Sequence, residues 1–261
     1  MRNRAQSAGF TIIELIIVVV IASFMAVVLH QAHVQQRRFN VWQESRASAH
    51  DAMRVASSLL AGDLREAVPS SGDIALEDTD SLRVRSPNGF GFVCAVDEPS
   101  DRIGLNRFVG STPEDAGDSV LVYASTGWRL TGIVDTPTPS LTCAHGTATP
   151  TIELEVSASN AADVPVGAPA RVIRSYTYHV TSHEGESWFA RSSVAGTEPL
   201  VGPLGTNGLQ FRLFDATGQE TSTLANVYSV EVRLIVLSRQ VPDAVSRSAD
   251  TLTALFQSRN R

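Results

Sequence analysis

The chain has 261 residues, 43% of them hydrophobic, enough for a sizeable core. Its formal net charge of -6 argues against a nucleic-acid binder, which normally carries a basic face. All 21 basic residues are arginine, which reads as genome composition with some gain in rigid hydrogen bonding and names no function.

Arg2 and Arg4 precede an apolar run from Ile12 to Leu29, interrupted by Glu14 and Ser23. As a helix this run spans about 27 Å, close to the hydrocarbon thickness of a bilayer. The leading arginines place the first residues in the cytoplasm and the bulk of the chain outside. A secretory signal peptide would have a shorter apolar region and a small-x-small cleavage site. Here the run ends in "LHQAHVQQRRF", a poor site. A plain anchor accounts for the run and leaves Glu14 unexplained. A carboxylate in a span costs about 2.5–3.5 kcal/mol at the centre and less near an end, so it calls for a partner.

Gly9-Phe10-Thr11-Ile12-Ile13-Glu14 sits behind a short basic leader and before a long apolar helix. It resembles the prepilin signal of type IV pilins and type II secretion pseudopilins. The resemblance implies cleavage by a prepilin peptidase between Gly9 and Phe10 and N-methylation of Phe10. It makes Glu14 the fifth residue of the mature chain, paired with the N-terminal amine of a neighbouring subunit. The carboxylate is then costly alone and neutralised on assembly. The helix-bending proline of many major pilins is absent, which allows a straighter helix and favours a minor subunit.

The helical pattern continues past the span. Apolar residues recur at Trp42, Ala49, Ala52, Met53, Ala56, Leu59, Leu60, Leu64 and Ala67, one face of a helix. Pro69-Ser70-Ser71-Gly72 end it. The expected helix from Phe10 to about Val68 is roughly 90 Å long.

Short β-type runs come next, separated by Gly, Pro, Asn and Asp clusters. They are "SLRVRS", "GFVCAV", "SVLVYAS", "GWRLTGIV", "TIELEV", "RVIRSYTYHV", "SWFARSSV", "LQFRLFD" and "YSVEVRLIVLS". "ASTGWR" and "FDATGQE" read as hairpin turns, "DTPTPS" and "ADVPVGAPA" as exposed loops. The fold class is α+β, a long helix packed on antiparallel sheet. Its parts are a leader (1–9), a transmembrane half-helix (10–33), an amphipathic half-helix (34–68) and an extracytoplasmic β-rich domain (69–261). "LLAGDLREA", "SYTYHV" with "SWFARS", "PLVGPLGTNGLQFRLFDATG" and "VEVRLIVLSR" with the ending "LTALFQSRNR" resemble the PilW and GspJ class of large minor pilins.

Cys94 and Cys143 are the two cysteines, and neither lies in a CxxC pair. Outside the cytoplasm they read as a disulfide, worth about 4 kcal/mol in the chain-entropy account; the alternative is two separate buried thiols. His179 and His183 are four apart, but "YTYHVTSHEGE" reads as strand into turn, and a metal would need a further ligand from Glu184 or Glu186. No metal is expected there. His30 and His33 read as interfacial residues where the span leaves the membrane. Acidic stretches "EDTDS", "DEPSD" and "PEDAGDS" match no calcium loop and read as solvated turns. G-x-S-x-G, P-loop and G-x-G-x-x-G motifs are absent from the sequence. Gly89 and Gly91 read as a hairpin edge. Trp128, Tyr176, Tyr178, Trp188, Phe211 and Phe214 read as core.

These readings converge on a structural, non-enzymatic subunit without cofactor, held once in the inner membrane with its domain in the periplasm before joining a pilus or pseudopilus. The expected partners are other pilins or pseudopilins, the prepilin peptidase and the inner-membrane assembly platform; no nucleic acid is expected. The rivals are a type II secretion pseudopilin, a pilus-borne adhesin or DNA-uptake subunit, and an anchored periplasmic enzyme, which would need a catalytic cluster.

Overall fold

A single helix, α1 (Ile12–Glu66), leads the chain. The computed structural model describes residues 11–69, 72–113, 117–144, 146, 148–157, 161–238 and 249–257. At 55 residues the helix is about 82 Å long. Its first half is rich in β-branched Ile and Val, whose intrinsic helix preference is poor. Its second half is rich in Ala, Leu and Arg, good helix formers. The chain turns extended at Ala67, and Pro69 lies two residues on, where the helix cannot continue.

Twelve strands come after it among the described residues: β1 (Ile74–Asp78), β2 (Ser81–Asp97), β3 (Arg102–Gly110), β4 (Ser119–Ala124), β5 (Gly127–Asp135), β6 (Ile152–Val156), β7 (Pro169–His183), β8 (Glu186–Ser193), β9 (Gly196–Val201), β10 (Leu204–Phe214), β11 (Ser229–Leu237) and β12 (Ala249–Gln257). All pairings are antiparallel. Nine strands form one sheet in the order β1-β2-β3-β6-β5-β4-β7-β8-β9, and β2 also pairs with β7. The ring β2-β3-β6-β5-β4-β7 therefore closes into a barrel, which removes its edges. β10-β11-β12 form a second sheet. The fold is α+β, with the helix against antiparallel sheet.

Two cores result. Val93, Leu105, Val120, Val122, Leu154 and Val172 fill the barrel. Met53, Ala56, Leu60 and Leu64 of α1 pack with Leu82, Tyr178, Phe189, Leu213 and Val232 in the other. β2 and β7, 17 and 15 residues long, serve both cores, one end each. Leu82 and Tyr178 are in the helix core, and Val93 and Val172 in the barrel.

"SLRVRS" and "GFVCAV" are one strand, β2. Gly89 and Gly91 lie inside it, opposite Gly110 and Ala170, and not at a hairpin edge. A Cβ on Gly89 would come within 2.4 Å of the Phe108 ring, so the glycine makes room for that ring. β1, β3, β9 and β12 join the expected strands. β1 buries little beyond Ile74, glycine and asparagine interrupt the alternation of β3, β9 contains Pro199 at a sheet edge, and β12 is an edge strand. Each of these is a weak signal in a single sequence. "ASTGWR" does join β4 to β5. Of the six aromatics expected in the core, Tyr178 and Phe211 are buried; Tyr176, Trp188 and Phe214 are half-buried. Trp128 is 50% exposed, because its strand alternates and it falls on the outer face of the barrel.

Candidate functional site

The first half of α1 has no cover within the chain. Every large apolar side chain from Ile12 to Leu29 is exposed, from 47% at Val28 to 81% at Ile12. The helix is long and apolar enough to cross a membrane. Its backbone polar groups are satisfied within the helix, as a spanning segment requires. Ser23, the second polar residue of the run, donates its hydroxyl to the Val19 carbonyl at 2.7 Å, which satisfies it locally.

Glu14 lies in the first turn, inside a capping box. The Thr11 hydroxyl accepts from the Glu14 backbone N–H at 3.4 Å. The Glu14 carboxylate accepts from the Thr11 backbone N–H at 3.5 Å and from its hydroxyl at 3.3 Å. Two of the orphan donors at the helix start are satisfied reciprocally, and the negative charge sits at the positive end of the helix dipole. Sequence reading overlooked this use of Glu14, although T-x-x-E before an apolar run is its signature. The expected cleavage residues Gly9 and Phe10 lie outside the described residues.

Ion pairs and hydrogen bonds fasten the second half of α1. Arg46 donates through Nε and Nη2 to Asp250 of β12, at 3.1 and 2.8 Å to Oδ1, and lies 5.2 Å from the Trp42 ring centroid. Tyr178 donates its phenol to Asp63 at 2.5 Å. Burial first, and the Asp63 charge second, push the Tyr178 phenol far above its ordinary range, so it stays a neutral donor.

The two cysteines form a disulfide, Cys94 in β2 with Cys143 in the β5–β6 connection, Cα atoms 4.7 Å apart. The same connection is held by Glu153 of β6, whose side chain is fully buried. Its carboxylate accepts from the backbone N–H of Ser140 at 2.7 Å and of Leu141 at 3.0 Å, with Arg102 at 3.4 Å. Burial alone would raise the Glu153 pKa; these donors outweigh it and hold the carboxyl below its ordinary value of 4.5. Asp118, read from sequence as part of a solvated turn, is instead buried against Arg174, with contacts of 3.0 Å from Nε and 2.8 Å from Nη2. Neither pairing has a local signal, since partners 56 or 51 residues apart meet only in the folded barrel.

His179 and His183 share a strand face but have different neighbours. His179 Nε2 is 2.6 Å from the Ser192 hydroxyl, and His183 packs edge-on against Trp188. Glu184 and Gly185 have positive φ and form the β7–β8 hairpin turn. His30 and His33 are exposed on α1. Among the described residues no three His, Cys, Asp or Glu side chains converge as metal ligands would. A groove of about 670 Å³ runs between α1 and the β8–β9 region, bordered by Ser45, Ala49, His183, Trp188 and Leu200; it opens to solvent along the helix.

Comparison with protein families, with curated proteins and with solved structures finds no match.

Proposed function

We propose that the protein is a structural minor pilin. In this reading a prepilin peptidase removes residues 1–9, Phe10 is N-methylated, and the subunit waits as a single-pass inner-membrane protein with its domain in the periplasm. It then joins other pilins through the first half of α1, with help from the inner-membrane assembly platform, at the initiating or tip position of a type IV pilus.

One observation carries the reading. An uncovered apolar helix, Ile12 to Leu29, runs without a break into a helix packed on a sheet domain. A cleavable leader would have no reason to continue rigidly into the fold, whereas an assembly helix must transmit its position to the domain. The basic leader and the Gly9-Phe10 step before Glu14 add the processing signal. A bulky domain suits an end of a filament better than its repeated shaft. The same helix and signal serve a pseudopilin of a type II secretion system, and neighbouring genes separate the two. An enzyme would require a catalytic cluster, which none of the supporting observations calls for.

The test is the N-terminus of the protein purified from membranes of its own cell. A mature chain that begins at N-methylated Phe10 supports the reading. A chain that begins at Met1 is an ordinary anchor, and a cut beyond about residue 30, after a full span, is a secreted domain; either result removes it.

A further inference from the structure

The outer face of the barrel carries a line of side chains that the fold leaves uncovered. The pairs Leu130 with Leu121, Leu121 with Arg171, Arg171 with Phe90, and Phe90 with Val109 set one residue from each of five strands in a row. Directly opposed residues project from the same face. Their sequence neighbours Val120, Val122, Ala170 and Val172 are buried inside, so this row faces outward. Beside it Trp128 stands opposite Tyr123, ring edge to ring face with centroids 5.5 Å apart. The Arg171 guanidinium lies 5.9 Å from the Trp128 ring centroid. Val109 is 75%, Trp128 50% and Tyr123 47% exposed.

The net charge is -6, yet the row centres on a cation. Among the described residues Arg171 has no ion-pair partner, and neither has the exposed Arg107 of β3. Glu66, at the end of α1, borders the depression lined by Phe90, Val109 and Arg171. We propose that this face binds a protein segment that presents aromatic or aliphatic side chains beside a carboxylate, with the carboxylate meeting Arg171.

The composition and charge of the face select this occupant. Trp, Tyr and Arg together are the residues that dominate protein–protein contacts, and an unneutralised guanidinium among them is complementary to an acidic partner. A second copy across a two-fold axis would have only Glu66, at the border of the depression, to offer Arg171, and a dimer is an outcome of the test below. Lipid is excluded by distance, because the depression adjoins Glu66, about 55 Å along the helix from Leu29. A glycan would need many hydrogen-bonding groups; Leu121, Leu130, Phe90 and Val109 offer none, and only Arg171, Tyr123 and Trp128 carry donors, few for a sugar chain.

The experiment uses the full chain in detergent micelles. Its probes are a labelled peptide of alternating Phe and Glu, the matching Phe and Gln peptide, and oligogalacturonate as an acidic glycan. The Phe–Glu peptide is expected to bind about tenfold tighter than the Phe–Gln peptide, and R171E to lose about that factor. Trp128→Ala should weaken binding as well, while Leu255→Ser, on the other sheet and 57% exposed, should not. Circular dichroism and the intact disulfide report that each variant is folded. Equal affinity for the two peptides, no binding, or an unaffected R171E overturns the proposal. So does tighter binding of oligogalacturonate, which makes the face a glycan site, or a wild-type dimer that R171E dissociates. None of these outcomes depends on how the N-terminus is processed.

Discussion

Glu14 caps its own helix in the structure, and the proposed pilin function gives it a second, competing use. In the isolated chain it caps its own helix through Thr11. In an assembled filament it would pair with a neighbour's amine, and the capping bonds, at 3.3–3.5 Å, are long enough to exchange for a charge-assisted partner. Glu14→Ala should leave membrane insertion intact and reduce incorporation into filaments by about tenfold or more, since losing a pairing partner in a low-dielectric site costs several kcal/mol. Immunoblots of sheared filaments against total membranes read this ratio; an unchanged ratio would leave the capping box as the reason for the residue. Glu153 gives a second test. Its folded-state pKa is lowered, so its contribution to stability is fully present above its ordinary pKa of 4.5 and is lost as pH falls through the lower folded value. Glu153→Gln should destabilise the protein at neutral pH and flatten the acid limb of its stability curve. Urea melts from about pH 3 to 7, across the carboxylate range, check both effects.

Helix α1 has a packed half and an uncovered half. From Met53 to Leu64 the residues at helical spacing are buried, and each fully buried leucine contributes about 1.5–3 kcal/mol. Leu60→Ala leaves a cavity between α1 and the sheets, and should cost about 2–5 kcal/mol. A urea midpoint equal to wild type would mean that the domain does not depend on the helix. The first half of α1 is the reverse case. Its Ile- and Val-rich run does not favour helix by propensity; a medium without competing water does, because every N–H and C=O must then bond within the segment. β2 and β7 are the corresponding dual elements of the sheet. Each is long enough to lie in the barrel wall at one end and under the helix at the other.

At the scale of the molecule, the disulfide Cys94–Cys143 and the Glu153 clamp close the same β5–β6 connection onto the barrel. With the cysteines 49 positions apart, the chain-entropy account assigns the bridge about 4 kcal/mol. Purified without reductant, the protein should show no free thiol, and reduction should lower its urea midpoint by that amount divided by the m-value. A quantitative thiol reaction without reductant would contradict the bridge. The helix and two of its anchors, Asp63–Tyr178 and Arg46–Asp250, join residues 115 and 204 positions apart.

The sequence by itself determined the long helix, its uncovered apolar half, most of the strands and the alternation that makes the rest of the chain antiparallel sheet. Those rest on local periodicity, and periodicity is written in consecutive residues. Tertiary structure alone decided that the sheet closes through β2 and β7, that Asp118 is buried and paired rather than solvated, that Glu153 is buried and clamps the β5–β6 connection, and that Trp128 faces outward beside Arg171. Each of these depends on which strands are neighbours, and strand order is set by long-range packing that no short stretch of sequence records.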